Sequence, residues 1–305
     1  MVKYYFKILL FIIAFLLYDK LFLVIANRSA EVEVDRRLEH VIEGKIDKDI
    51  VIIGSSRGAR GIIASQIEDE TGYTTYNLCY PGSNVVFHEF ILRTLLKFNN
   101  EPRLVLLVVD DDIEFKYDST VVFRKDRLYP LIKYPYVWKK LSAIDDQSFF
   151  FQRYLILSRL NKYNFDIRQK KFTPLDTIKK CGSMPLSWYA NERDRYFRME
   201  EKDYEQENEV IEYITAYQSI LETCKINNIN LVVVFPPLLR NHSQSFEQRI
   251  RELGDEKIDY YIYNFENPVY SYKKYYHGGG HLIFSGAQIF TDEISDYISE
   301  TYTFK

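Results

Sequence analysis

Gly54, Ser55, Ser56, Arg57 and Gly58 close a short β-branched run, Val51 to Ile53, and open a stretch of helical character. A strand, a tight turn and a helix in that order lift a serine out of the carboxyl edge of a parallel sheet. Backbone N–H groups at such a turn face any negative charge that develops on a substrate oxygen there. Ser56 is therefore the candidate nucleophile. A serine needs a base, and His281 stands in a glycine-rich stretch, Tyr275 to Leu282, just ahead of the last apolar-periodic segment. Loops at the carboxyl edges of parallel strands gather on one side of a sheet, so His281 can accept the Ser56 Oγ proton. Each residue also has a plainer reading: Gly54 to Ser56 as a small-residue helix cap, His281 as a structural histidine.

The pattern between these two points supplies alternating strands and helices. Residues 74–79, 103–110, 230–235 and 258–263 read as further strands, and helices are expected at 62–72, 84–95, 206–227, 246–253 and 285–300. Strands alternating with helices imply βαβ units and a mostly parallel sheet of five strands, an α/β architecture. Tyr80, Pro81, Gly82, Ser83 and Asn84 form a turn whose asparagine can cap the following helix. Residues from about 113 to 200 lose this regularity and are rich in Tyr, Phe, Lys and Arg, which reads as an irregular helical insertion over the functional edge. Within it Arg168, Lys170, Lys171, Lys179 and Lys180 give a basic run, most simply a solvated helix face.

Composition narrows the partners. The 305 residues carry a net charge of -3 with both signs interspersed, which lacks the basic footprint of a nucleic-acid binder. Twenty-six tyrosines and 16% aromatic content suit carbohydrate or lipid contacts as well as a core. Cys79, Cys181 and Cys224 have no metal-ligand spacing, and an odd number argues against a full disulfide framework. His277 and His281 flank three glycines, but no third metal ligand accompanies them, so neither a metal nor another cofactor is expected.

Residues 1–27 are the expected membrane segment. Lys3 and Lys7 precede an apolar run, Ile8 to Leu17, and a second run, Leu21 to Ala26, follows Tyr18, Asp19 and Lys20. The whole is long enough to span a bilayer, although Asp19 and Lys20 would each cost about 2.5–3.5 kcal/mol at its centre. The second run is too hydrophobic for a cleavage region, which favours an uncleaved anchor over a signal peptide. Residues 28–49 read as a charged connector and 50–305 as the catalytic domain with its insertion. Either reading of the first segment exports that domain to the extracytoplasmic or periplasmic side.

Gly54, Ser56 and Gly58 also spell the G-x-S-x-G elbow of α/β-hydrolases, yet in that fold several strands precede the serine's own, and here the elbow must sit on the first strand. Gly54 to Arg57, then Tyr76, Asn77 and Gly82, then Leu282 to Ala287 with Phe290 and Thr291, instead resemble the ordered blocks of SGNH, or GDSL-like, hydrolases. The anchor and aromatic middle segment resemble the membrane-tethered members of bacterial envelopes. The resemblance implies a flavodoxin-like three-layer sandwich, Ser56 as nucleophile and His281 as base. It implies oxyanion donors from the Ser56 N–H and from the turn at Gly82 and Asn84.

Three positions depart from that pattern. Where the family has the aspartate that orients the histidine, this chain has Gly278. Cys79 replaces a second-block glycine, and Asp110, Asp111 and Asp112 stand where hydrolases keep an asparagine. An orienting acid fixes the tautomer and stabilises imidazolium, and losing it costs about 10⁴ in rate without removing nucleophile and base. Asp110, Asp111 or Asp112 could take its place. The expected function is an exported esterase or acyltransferase acting on acylated envelope glycans, with a membrane and an ester substrate as partners. The alternatives are an inactive SGNH-like binding component and, from the three aspartates, a D-x-D glycosyltransferase using a divalent ion.

Overall fold

Ile50–Gly54 (β1) is buried at all five positions, as is Leu104–Val108 (β3), so both must be covered on two faces. The computed structural model of the chain meets that requirement. It describes residues 2–144, 155–159, 168, 170–171, 173, 175, 177–190, 196–198, 203–255 and 258–304, apart from the Asp112 side chain. By chain contacts these fall into two units, one of residues 1–39 and 124–171, the other of residues 40–123 and 172–305.

The larger unit holds a five-stranded sheet in the order β2-β1-β3-β4-β5, with β2 at Thr75–Asn77, β4 at Asn230–Phe235 and β5 at Asp259–Ile262. Every pairing is parallel, from Ile52 opposite Asn77 to Phe235 opposite Ile262. This is the flavodoxin-like order, and it places a topological switch point between β1 and β3, where ligands bind at the carboxyl ends of the strands. The mostly parallel expectation becomes an all-parallel sheet.

Alternate strand residues fill two layers, as the period of two requires. Ile50, Ile52, Leu104, Leu106, Val232 and Val234 join Ile67, Phe290, Ile294 and Ile298 in one core. Those partners come from the helix Ala64–Thr71, which Gly72 ends in the left-handed conformation, and from the C-terminal helix Phe284–Thr301. The helices Val85–Phe98 and Ile211–Ile226 pack on each other in a second helical layer.

The smaller unit contains the first helix, Val2–Val32, which is long and apolar enough to cross a membrane or to serve as a signal sequence. It runs past the expected boundary at 27. Of the expected helical insertion, the helices Lys125–Leu128 and Pro135–Ile144 are present in this unit. Residues 145–154, 160–167 and 191–195, also within it, lie outside the described residues.

Candidate functional site

Ser56 stands at the carboxyl end of β1, where the backbone has no room for side chains. A Cβ on Gly54 would lie 2.6 Å from the Val108 carbonyl oxygen, and one on Gly58 would lie 2.5 Å from Cys79 Sγ. These glycines let the short helix Ser56–Gly61 settle directly on β1 and β3. Its far end is fixed by Asn77, whose Nδ2 donates to the carbonyls of Gly58 at 2.9 Å and Ile62 at 3.1 Å. Asn77 is itself wholly buried, so its carboxamide serves the site as a rigid pin.

His281 arrives on a hairpin of Tyr276–Gly278 and His281–Leu282, in which Gly278 pairs with His281 across the turn Gly279–Gly280. Three contacts brace this hairpin. The Tyr276 hydroxyl donates to the Tyr270 carbonyl at 3.0 Å, His277 Nδ1 meets the Trp188 carbonyl at 2.7 Å, and Leu239 N–H donates to the Gly279 carbonyl at 3.1 Å. The result is a contact of 2.8 Å between His281 Nε2 and Ser56 Oγ, 225 residues apart in sequence.

Burial and the charges of Arg60, Arg57 and His277 push the His281 imidazole down to about 3. At neutral pH it is uncharged, with Nε2 free to accept from the Ser56 hydroxyl. No carboxylate among the described residues accepts from its Nδ1.

The three aspartates sit elsewhere. Asp110 accepts from the Ser55 hydroxyl at 2.5 Å and lies 3.8 Å from Arg57 Nε, so one carboxylate ties down the residues on both sides of Ser56. Asp111 adopts a left-handed backbone, φ 54°, and pairs with Arg240. The Asp112 side chain lies outside the described residues. Neither Asp110 nor Asp111 reaches His281, and their oxygens are engaged by Ser55, Arg57 and Arg240. Among the described residues no group of three His, Cys, Asp or Glu side chains could hold a metal ion.

The Gly82 to Asn84 turn lies beside this edge. Pro81 and Gly82, the latter at φ 71°, make a turn closed by the Ser83 N–H on the Tyr80 carbonyl at 3.1 Å. Asn84 caps the helix Val85–Phe98 through its side-chain oxygen, and its backbone N–H donates to the Val122 carbonyl. That leaves the Gly82 N–H and Asn84 Nδ2 without an acceptor among the described residues.

Sequence reasoning missed what lies behind the turn. Ser83 Oγ is 2.8 Å from His88 Nε2, and His88 Nδ1 is 3.8 Å from Glu114 Oε1; all three residues are buried. Glu114 accepts the Asp110 N–H at 2.6 Å, and burial with the nearby Asp110 carboxylate pushes its carboxyl up to about 8. Burial pushes His88 down to about 3. Glu114 therefore holds a proton at neutral pH, and its Oε1 faces His88 Nδ1 at 3.8 Å. The only sequence signals were an acid four residues beyond a strand-end aspartate and a histidine on an otherwise apolar helix face.

Two cavities of the larger unit lie outside the Ser56–His281 pair. One of about 820 Å³ is lined by Lys48, Glu68, Lys179, Lys180 and Phe284 among others. The other, about 270 Å³, is lined by Phe197, Arg240, His242, Tyr263 and Phe265 among others, on the loops that hold the hairpin.

No protein-family model matches the sequence, and no curated protein matches it. Among solved structures, an acetyl xylan esterase (Est2A) from the rumen bacterium Butyrivibrio proteoclasticus is similar at 11% identity and a TM-score of 0.34, over 82% of this chain. The chain spans 63% of the length of that enzyme.

Proposed function

We propose that this protein is a membrane-anchored, exported SGNH-like serine esterase or O-acyltransferase that acts on acylated cell-envelope glycans. The observation that carries the reading is the 2.8 Å contact of Ser56 Oγ with a neutral, half-buried His281 Nε2 at the switch point of the sheet. Ser56 Oγ attacks the ester carbonyl carbon while its proton passes to His281 Nε2. The carbonyl oxygen becomes an oxyanion facing the Ser56 and Gly82 N–H groups and Asn84 Nδ2. Collapse breaks the bond to the leaving alcohol, which takes the proton from His281 and leaves an acyl group on Ser56. Water or a sugar hydroxyl then gives a proton to His281 and attacks the acyl carbon, and Ser56 Oγ leaves, taking that proton from His281.

The glycan part of the reading draws on the 270 Å³ cavity next to the hairpin, whose aromatic rings and flanking polar groups suit a pyranose. Gly278 favours a second reading, a binding component that keeps the fold without turnover. The two readings part on covalent trapping: a fluorophosphonate forms an adduct on Ser56 in an enzyme, lost in Ser56→Ala and His281→Ala, and none in a binding protein.

A further inference from the structure

The apolar helix Val2–Val32 carries an aspartate that the structure buries completely. Asp19 is 1% exposed. Its two oxygens accept the backbone N–H groups of Leu157 at 2.9 Å and Ile156 at 3.1 Å, and Lys20 Nζ lies 3.3 Å away. Asp19, Ala26, Ser29 and Ala30 are buried and Phe22 is half-buried, a helical stripe facing the smaller unit. Leu17, Leu21 and Val24, spaced i, i+4, i+7, form the opposite stripe and are 60–67% exposed.

Length fixes where this happens. From Val2 to Tyr18 a helix rises about 24 Å and to Val24 about 33 Å at 1.5 Å per residue, while a bilayer core is about 30 Å thick. With the start of the helix at one face of the core, the other face falls between Asp19 and Val24. At that depth an unpaired carboxylate is costly and so is an unpaired backbone N–H, and here each satisfies the other. Around them are groups that suit the headgroup level. Leu157 is an exposed apolar side chain, and the Arg159 guanidinium lies 4.5 Å from the Trp138 ring centre on the helix Pro135–Ile144. Further along, the Lys170 N–H donates to the Val32 carbonyl at the helix end, at 3.4 Å, and just beyond it Lys170 pairs with Glu33 and Lys133 with Glu39 at 2.7 Å, so the helix and the residues that follow it are tied to residues 124–171 at more than one level.

We infer that Leu155–Arg159 is a lipid-contacting platform docked on the first helix at the membrane boundary, pinned by Asp19, and that its partner is the headgroup and acyl-chain boundary of the bilayer. This rests on the membrane-anchor part of the proposed function. It also makes the helix a structural member of the smaller unit, retained in the mature chain.

The full-length chain, with Cys181→Ser to remove the accessible thiol, is reconstituted in phosphatidylcholine–phosphatidylglycerol vesicles with one bimane label at Phe11→Cys, Val24→Cys, Leu157→Cys or Ile211→Cys. Nitroxides on the lipid, either near the headgroup or deep in the acyl chain, report depth. The expected result is quenching of Phe11→Cys by the deep nitroxide, quenching of Val24→Cys and Leu157→Cys by the shallow one, and none at Ile211→Cys. Adding Asp19→Leu abolishes quenching at Leu157→Cys and leaves Phe11→Cys unchanged. Quenching at Phe11→Cys without quenching at Leu157→Cys overturns the platform and keeps the anchor. No quenching at Phe11→Cys overturns both. A Val24→Cys label shielded from solvent yet unquenched assigns that stripe to a second copy of the chain, and overturns the lipid assignment.

Discussion

Placing a carboxylate at Gly278 should give the Ser56–His281 pair a third member. The position is ready for a side chain: its φ is outside the left-handed region, and a Cβ there would meet only the Ala190 Cβ, at 3.9 Å, an ordinary contact. Gly278 is the cross-strand partner of His281, which brings a substituent within reach of the imidazole. In the wild type nothing among the described residues offsets burial and the Arg60, Arg57 and His277 charges, which hold His281 at about 3. A carboxylate about 4 Å from the imidazolium, at an effective dielectric of about 20, contributes about 4 kcal/mol, or about three pKa units. The acid limb of the reaction therefore moves from about 3 to about 6 in Gly278→Asp. Stabilising the imidazolium that forms as Ser56 attacks raises the rate at pH 7 by about 10²- to 10³-fold. The assay is the second-order rate of fluorophosphonate labelling from pH 3 to 8, alongside hydrolysis of 4-nitrophenyl acetate. A Gly278→Asp protein with wild-type melting temperature, an unmoved acid limb and an unchanged labelling rate would refute the account of His281.

Glu114→Gln tests the proton behind the Tyr80 to Asn84 turn. Between its ordinary 4.5 and its native value of about 8, folded Glu114 keeps a proton that the unfolded chain has released. Its stability contribution is thus fully present below about 4.5 and is lost as pH rises through about 8, a decline on the order of a few kcal/mol. Gln can accept the Asp110 N–H and donate to His88 Nδ1 without titrating. The wild-type-minus-variant difference in melting temperature should therefore fall from pH 5 to about pH 8 and level off above it, and a flat difference throughout contradicts the assignment. Gly58→Ala should destabilise by about 1–3 kcal/mol through the 2.5 Å approach to Cys79 Sγ. The loss should shrink in a Cys79→Ala background, measured as a coupling energy in a denaturant double-mutant cycle.

Much of the sheet was legible because buried parallel strands are written as unbroken apolar runs. Val51 to Ile53, Leu104 to Val108 and Leu231 to Phe235 could be nothing else once helices alternated with them. The dyad was legible for a related reason: strand ends are the one place where a small-residue turn and a distant glycine-rich loop must meet. What stayed hidden depends on distances that no period encodes. The sequence shows three consecutive aspartates as equals, but the left-handed turn at Asp111 sends Asp110 to Ser55 and Asp111 to Arg240. It shows Asp19 as an expense in an apolar helix, because its acceptors' partners, the N–H groups of Ile156 and Leu157, lie 137 and 138 residues away. It shows Ser83, His88 and Glu114 as scattered polar residues, and only the packing behind the Tyr80 to Asn84 turn makes them one network.

The central claim is that Ser56 is activated by His281 despite the glycine at 278. Full-length protein in detergent, treated with a fluorophosphonate and digested for mass spectrometry, tests it most directly. The account predicts one adduct on Ser56, absent from Ser56→Ala and from His281→Ala. Folded protein that never gains the adduct, or that gains it equally in His281→Ala, would contradict it.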